Sequence, residues 1–405
     1  MIKVLILLFQ FCALITINAQ NKIVLSNTNI IDGISMSEKK NMMVFISNGK
    51  IESIKKAGSK YKGYYLIDLK GMYLLPGFID AHTHIRSLDA AKRALESGVT
   101  TTRSASTPYY QDVSIREMVK SGALVGPDMI ATGVFVTPNL GETILADIRL
   151  KDLFGGVNNE DELRKVVQVN AERGVDFIKT RGTERAGLPQ TDPRKQTYTE
   201  SQLKIIVDEA KKFNIPVMAH AHGDEGGYAA VKAGVKSIEH GTYLTERTLK
   251  LMKRMDTFLV PTFTTVVDLT QPGGDYDDPV LIIRGQHMLP SLEKTIKMAY
   301  KMGIKIATGA DTGYGPNSTT RVGMEITNFV NLGMKPIDAI QSATIIGAEL
   351  LGIANKTGTI SIGKEADLIV VTSNPLNDIR TIQDVVFVMS NGKIGLNRLP
   401  FEKDN

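Results

Sequence analysis

The chain has almost no cysteine. Its one thiol, Cys12, lies in an N-terminal stretch where Lys3 precedes an apolar run over 4–17, followed by Asn18, Ala19 and Gln20. A positive start, a short apolar core and a small residue before polar ones read as a secretory signal peptide over 1–19, cleaved after Ala19. The product is then expected to be secreted or periplasmic. The residues ahead of Cys12 do not form a lipoprotein box, so no lipid anchor is expected. A mature chain without thiols excludes disulfides and limits any metal site to nitrogen and oxygen ligands. Long hydrophobic runs are missing as well: 4–17 is too short for a comfortable membrane span, and the mature chain is expected to have none. There is no basic run or tail. Lys and Arg (48) are interspersed with Asp and Glu (43), for a net charge of +5, which argues against a nucleic-acid partner.

What is present falls into three zones. Residues 20–75 and 353–405 contain short β-type runs separated by Asn, Gly and Lys turns, among them Asn391-Gly392. The two zones are expected to pair into one small β-sandwich. Between them, 76–352 alternates apolar strands with amphipathic helices. Strands are predicted at 74–81, 99–103, 128–131, 175–179, 216–219, 237–239, 258–261 and 305–308. Helices are predicted at 90–97, 161–173, 199–213, 228–233 and 291–301. Gly98, Gly174 and Gly303 each follow a helix, where a left-handed cap is expected. Eight strands with helical patterns between them, of which these are examples, predict an α/β fold, a closed (β/α)8 TIM barrel. A doubly wound open sheet ranks second, because no glycine-rich phosphate loop follows the first strand.

Histidine is also scarce, with six in the chain, yet five stand at or just past predicted strand ends. That is the rim where barrel enzymes place their sites. His82 and His84 are two apart, so on an extended backbone they point the same way and can share a metal. His220 and His222 repeat the spacing, His240 follows the sixth strand, and Asp311 follows the eighth. Each has a bland alternative, a core or solvated histidine or a capping aspartate. Jointly they converge at one rim as a site for Zn²⁺ or a similar ion. Lys179 ends the fourth strand. Buried, it should have a depressed pKa; the competing reading is a pair with a carboxylate such as Asp176, and physics alone leaves the two nearly even.

These stretches resemble the amidohydrolase superfamily, especially its imidazolonepropionase-like and prolidase-like (Xaa-Pro dipeptidase-like) branch. The matching segments are Leu75 to His84, Ile178-Lys179, Ala219 to Gly223, Ser237 to Gly241, Thr308 to Asp311, and Gly358 to Val370. The resemblance covers nearly the whole chain after the leader. It implies two divalent ions, zinc by preference: His82, His84 and Asp311 hold the first, His220 and His240 the second. Lys179, as a CO₂-derived carbamate, bridges them. A metal-activated hydroxide then attacks an amide or peptide bond of a dipeptide or N-acyl amino acid, with Asp311 passing the proton to the leaving nitrogen. The resemblance is also compatible with a homo-oligomer.

His222 stays open at this stage. His222-Gly223-Asp224-Glu225 also reads as HxxE, which resembles single-metal deaminases and cyclic-amide hydrolases that use a glutamate as proton shuttle. In the two-metal reading His222 is a catalytic contact to substrate. A third reading, a non-catalytic scaffold, would call for a missing ligand position, and none is missing. Specificity is expected from segments after strands three, four and seven. Arg181, Arg185 and Arg284 there are candidates for binding a substrate carboxylate, and Tyr243 for donating to the substrate carbonyl.

Overall fold

The computed structural model describes residues 22–399, so the expected signal peptide lies outside the described residues. Five strands open the chain: β1 (Lys22–Ile30), β2 (Lys39–Ser47), β3 (Lys50–Lys56), β4 (Tyr65–Asp68) and β5 (Tyr73–Pro76). Seven follow in the middle: β6 (Phe78–Thr83), β7 (Val99–Ser104), β8 (Asp128–Ile130), β9 (Ile178–Arg181), β10 (Val217–Ala221), β11 (Ser237–His240) and β12 (Phe258–Val260). Three close it: β13 (Leu368–Val371), β14 (Val385–Ser390) and β15 (Lys393–Asn397).

The two outer zones do pair, through β13 antiparallel to β5, but into one hydrogen-bonded sheet of eight strands, ordered β15-β14-β13-β5-β1-β2-β3 with β4 on β1. The period-2 pattern explains how this sheet serves two cores. Leu368 and Val370 face inward with Leu25, Val44, Phe387 and Met389. Ile369, Val371 and Val388 point the other way, into the core shared with the helices. Each such side chain contributes roughly 1.5–3 kcal/mol by leaving water.

The predicted first strand, 74–81, is two strands. β5 belongs to the outer sheet and β6 to the middle zone, with the break at Gly77. A Cβ at Gly77 would lie 2.2 Å from Thr100 Oγ1, so only glycine lets the chain pass β7 there.

In the middle zone β6, β7 and β8 form one parallel sheet, and β9, β10, β11 and β12 another. Backbone bonds link them at both edges. Asp176 and Phe177 donate to Ala131 O at 2.8 and 3.1 Å. Residues 305–312 run between β12 and β6: Ala307 N donates to Leu259 O, Ala81 N to Thr308 O and Asp311 N to His82 O, at 2.8–2.9 Å. The expected eighth strand at 305–308 forms isolated bridges instead of a ladder. The reason is that neighbouring donors are taken elsewhere: Ile79 N and Thr308 N bond Ala343 O and Ser342 O, and Ala310 N bonds the Asp80 carboxylate.

Helices connect the strands. They are α1 (Leu88–Glu96), α2 (Gln111–Lys120), α3 (Glu160–Glu172), α4 (Glu200–Lys212), α5 (Asp224–Ala233) and α6 (Glu246–Met255). Next come α7 (Phe263–Leu269), α8 (Pro279–Lys301), α9 (Val322–Asn331), α10 (Pro336–Ser342) and α11 (Ile345–Leu351). Asn159 with Glu162, and Thr199 with Gln202, form capping boxes that start α3 and α4. Gly98, Gly174 and Gly303 adopt the expected positive φ, 96°, 76° and 68°. α8 begins twelve residues before the predicted 291, because Gly285 and Pro290 inside it disguise a helix that Asp278 caps. No helix among the described residues is long and apolar enough to cross a membrane.

Candidate metal centre at the strand ends

His82 and His84 leave the end of β6 on one side, as their spacing predicts. Asp311 reaches them from the neighbouring segment: its Oδ1 lies 3.3 Å from His82 Nε2 and 3.2 Å from His84 Nε2. His220, His222 and His240 form a second group on β10, β11 and the loop after β10. Within each group the ligand atoms lie within 4.8 Å of one another, close enough to hold an ion. The groups adjoin, with the His82 and His240 ring centroids 5.1 Å apart.

Backbone conformation brings these side chains inward. Glu239 and His240 are consecutive, so a regular strand would send them to opposite faces. His240 instead has φ +72°, which lets both reach the interior. Thr262 (φ +48°) and Asp311 (φ +45°) share this left-handed region, uncommon for any non-glycine and a true outlier for β-branched threonine. Such strain concentrates at functional sites.

Each imidazole is held by the nitrogen that faces away from the centre. His84 Nδ1 donates to Ser106 O (2.9 Å), and His82 Nδ1 donates to the Glu239 carboxylate (2.7 Å). Thr242 and Thr262 hydroxyls bond Nδ1 of His222 and His240 at 2.8 and 2.7 Å. His220 uses Nε2, donating to Glu184 O at 3.0 Å. The remaining nitrogens are left as the free donors a metal takes, in the tautomer fixed by the other bond.

Charge at the site follows from burial. His220 and His240 are pushed well below the usual imidazole range by burial and by neighbouring imidazoles, and burial takes His222 to about 3. Burial alone would raise Asp311, but His82 and His84 hold it well below the usual carboxylate range. Lys179 is 2% exposed, its Nζ has no hydrogen-bond partner, and burial pulls it down to about 8. Asp176, its alternative partner, pairs with Arg116 instead. Five ring nitrogens not taken by these outer partners, a carboxylate and an orphaned buried amine of lowered pKa are a donor set that fits divalent cations.

A cavity of about 310 Å³ opens above this centre. Phe135, Leu140 and Tyr276 contribute apolar wall, and Arg86, Arg181 and Arg185 line it too; among the described residues Asp311 is the one carboxylate in the lining. Arg181 stacks on Phe135 at 4.6 Å, and its buried Nε has no partner.

Two predicted residues are elsewhere. Arg284 donates to the carbonyls of Ala186, Leu188, Pro189 and Thr191, so its guanidinium is consumed in pinning that loop and is not free for substrate. Tyr243 does not line the cavity; its hydroxyl bonds His287 Nδ1 on α8 at 3.0 Å. Glu225, the would-be shuttle of the HxxE reading, has a 70% exposed side chain paired with Arg247. His222, by contrast, sits in the second histidine group beside His220. Sequence reasoning missed Arg103 and Glu239, both 0% exposed within the parallel strands. The available signal was a charged residue inside each of two otherwise unbroken buried strands, Val99–Ser104 and Ser237–His240.

The chain is similar to several known proteins. The amidohydrolase family model matches residues 73–395. Ochratoxinase from Aspergillus niger is 27% identical over 363 residues, covering 79% of this chain and 75% of its own length. Imidazolonepropionase from Thermoanaerobacter pseudethanolicus is 22% identical over 376 residues, covering 83% and 85%. A crystal structure of a Xaa-Pro dipeptidase with bound methionine in the active site superposes with a TM-score of 0.83 at 28% identity, over 92% of this chain and 99% of that one.

Proposed function

Because the chain belongs to the amidohydrolase family and is a hydrolase acting on carbon–nitrogen bonds, we propose that it cleaves the amide bond of an N-acyl amino acid or dipeptide with a free carboxylate. The observation that carries this reading is Arg181, whose buried Nε lacks a partner in the cavity beside the histidine groups. A substrate carboxylate satisfies that donor and the guanidinium charge together. With no lining carboxylate among the described residues except Asp311, which the histidines engage, the cavity offers a free α-ammonium little counter-charge. That favours N-acyl amino acids over free dipeptides. Arg185, exposed at the same rim, adds long-range attraction for anions.

We read the parallel strands, with 305–312 closing the ring, as a (β/α)8 barrel carrying the site at its C-terminal rim. His82, His84 and Asp311 would hold one divalent ion, and His220 and His240 a second. Lys179, as a carbamate formed from CO₂ and its neutral amine, would bridge them. When bound, the ions supply Lewis acidity and a nucleophile drawn from water at neutral pH. Asp311 engages the histidines through Oδ1, which leaves Oδ2 to take a proton and return it to the departing nitrogen. His222, next to this centre with its Nδ1 bonded to Thr242, would contact substrate.

The test is metal stoichiometry of protein prepared with bicarbonate and zinc, beside Lys179→Ala. About two ions per chain, falling in the variant, support the bridged site. One ion, indifferent to Lys179, sinks it and directs the search to deaminase and cyclic-amide substrates.

A further inference from the structure

Arg103 sits wholly inside the parallel strands, and every guanidinium nitrogen is committed. Its Nε donates to Ala81 O (2.7 Å), one terminal nitrogen to Ser237 Oγ (3.0 Å) and the other to Glu239 Oε1 (2.9 Å). Its Cζ lies 5.0 Å from the centre of the Phe177 ring. Ser237 Oγ also donates to Glu239 Oε1, at 2.5 Å. The other oxygen, Oε2, receives His82 Nδ1 at 2.7 Å. A chain of contacts therefore runs from a guanidinium away from the cavity, through a carboxylate, to an imidazole facing it.

A buried ion pair of this kind is weak evidence for stability, since removing two charges from water costs about as much as their attraction returns. What distinguishes it is where it ends. Of the five site histidines, His84 and His220 are held by backbone carbonyls and His222 and His240 by threonine hydroxyls, all neutral. Asp311 Oδ1 faces the inner nitrogens of both His82 and His84, whereas on these outer nitrogens His82 alone has a carboxylate partner. Such a partner fixes the tautomer and makes the opposite ring nitrogen a stronger donor. Glu239 also lies within electrostatic reach of Lys179, yet Lys179 Nζ has no partner.

We propose that Arg103 is a positioning residue. By clamping Glu239 it aims Oε2 at His82 and so strengthens the ion position formed by His82, His84 and Asp311, selectively over the His220 and His240 position. This rests on the two-ion reading above.

The experiment is zinc titration of the apo-protein against a competing chelator, with no turnover involved. His84→Ala and His220→Ala identify which binding class belongs to which position. Arg103→Met is expected to weaken the His84-dependent class by about 10- to 100-fold and leave the His220-dependent class unchanged. Arg103→Lys keeps the charge but lacks the planar fork, and is expected to fail similarly. Should Arg103→Met not fold, Ser237→Ala carries the test: it removes one bond to Oε1 and is expected to weaken the same class several-fold. A folded Arg103→Met, or failing that Ser237→Ala, that binds both classes as the parent does overturns the proposal. Equal weakening of both classes overturns it too, because it indicates general loosening. A parent protein that binds one class or none sinks the two-ion reading itself, and this inference with it.

Discussion

At the C-terminal ends of the strands, Lys179 Nζ and Arg181 Nε are buried without partners, and His240, Thr262 and Asp311 hold left-handed conformations. At the opposite end, where the outer sheet meets β8, Asp367 is equally buried, but both its oxygens are used. Oδ1 accepts from Asn391 N (2.8 Å) and Oδ2 from Thr357 Oγ1 (2.7 Å), and Asn391 Nδ2 donates to Asp128 at 3.0 Å. At one end charged nitrogens stay unsatisfied; at the other the buried charged group is bonded on both oxygens, although Ser390 Oγ beside it lacks a partner and Asn391 is left-handed too (φ +51°). Unsatisfied groups and strain cost stability and serve a ligand, whereas satisfied ones serve the fold. Variants at the two ends should therefore separate activity from stability.

The largest separation is expected from Asp311→Asn. It keeps the shape but removes the proton acceptor, and kcat should fall roughly 10²- to 10⁴-fold. The thermal midpoint of the metal-free protein should stay level or rise. A variant that lost stability in proportion to activity would mean that the rim holds the fold together, and the contrast between the ends would be gone.

Why the rim was legible in the sequence and the join was not follows from the same contrast. His82, His84, His220, His240 and Asp311 are chemically distinctive and are fixed by local rules, alternation along a strand and position at its end. Lys179 needed the resemblance, because a lysine after Phe177-Ile178 is equally consistent with an ion pair. Arg284 and Tyr243 were singled out by loop position, which says nothing about whether a side chain's donors are already taken; four carbonyls from residues 186–191 engage Arg284. Arg103 and Glu239 are related by contacts across more than 130 positions, and no local pattern marks such a pair. The break at Gly77 is invisible in a continuous apolar run until Thr100 is known to press against it.

At the join, the expected change is one of pH dependence. Burial pushes Asp367 up to about 7, from an ordinary value of 3.8. The fold thus prefers the protonated acid. Its contribution is fully present below about pH 4 and is lost as pH rises to about 7, by as much as roughly 4 kcal/mol. Asp367→Asn keeps an acceptor for Asn391 N and a donor toward Thr357, and it does not titrate. Urea unfolding between pH 4 and 8 should show the parent losing stability relative to the variant as pH rises, with kcat at pH 7 nearly equal. A parallel pair of curves would mean that Asp367 is not forced to choose its protonation state by the fold.

The smallest effect compares an arginine in the cavity wall with one outside it. Arg181 is half-buried with its Nε enclosed and unpartnered, and Arg284 is spent on carbonyls. Arg181→Met keeps much of the contact with Phe135 while removing the charge. KM for carboxylate-bearing substrates should rise about 10- to 100-fold, the worth of a charge-assisted hydrogen bond, with kcat less affected and stability unchanged or improved. Arg284→Met strips four carbonyls of their donor and should lower the unfolding free energy by about 1–3 kcal/mol. Any rise in KM there should appear equally for substrates with and without a carboxylate. The discriminating quantity is the ratio of KM for an N-acyl amino acid to KM for its amide, in which the carboxylate is masked. Only Arg181→Met should collapse that ratio. If Arg284→Met collapses it instead, the loop at 186–191 rather than Arg181 reads the carboxylate, and the unsatisfied Nε loses its meaning as a sign of ligand.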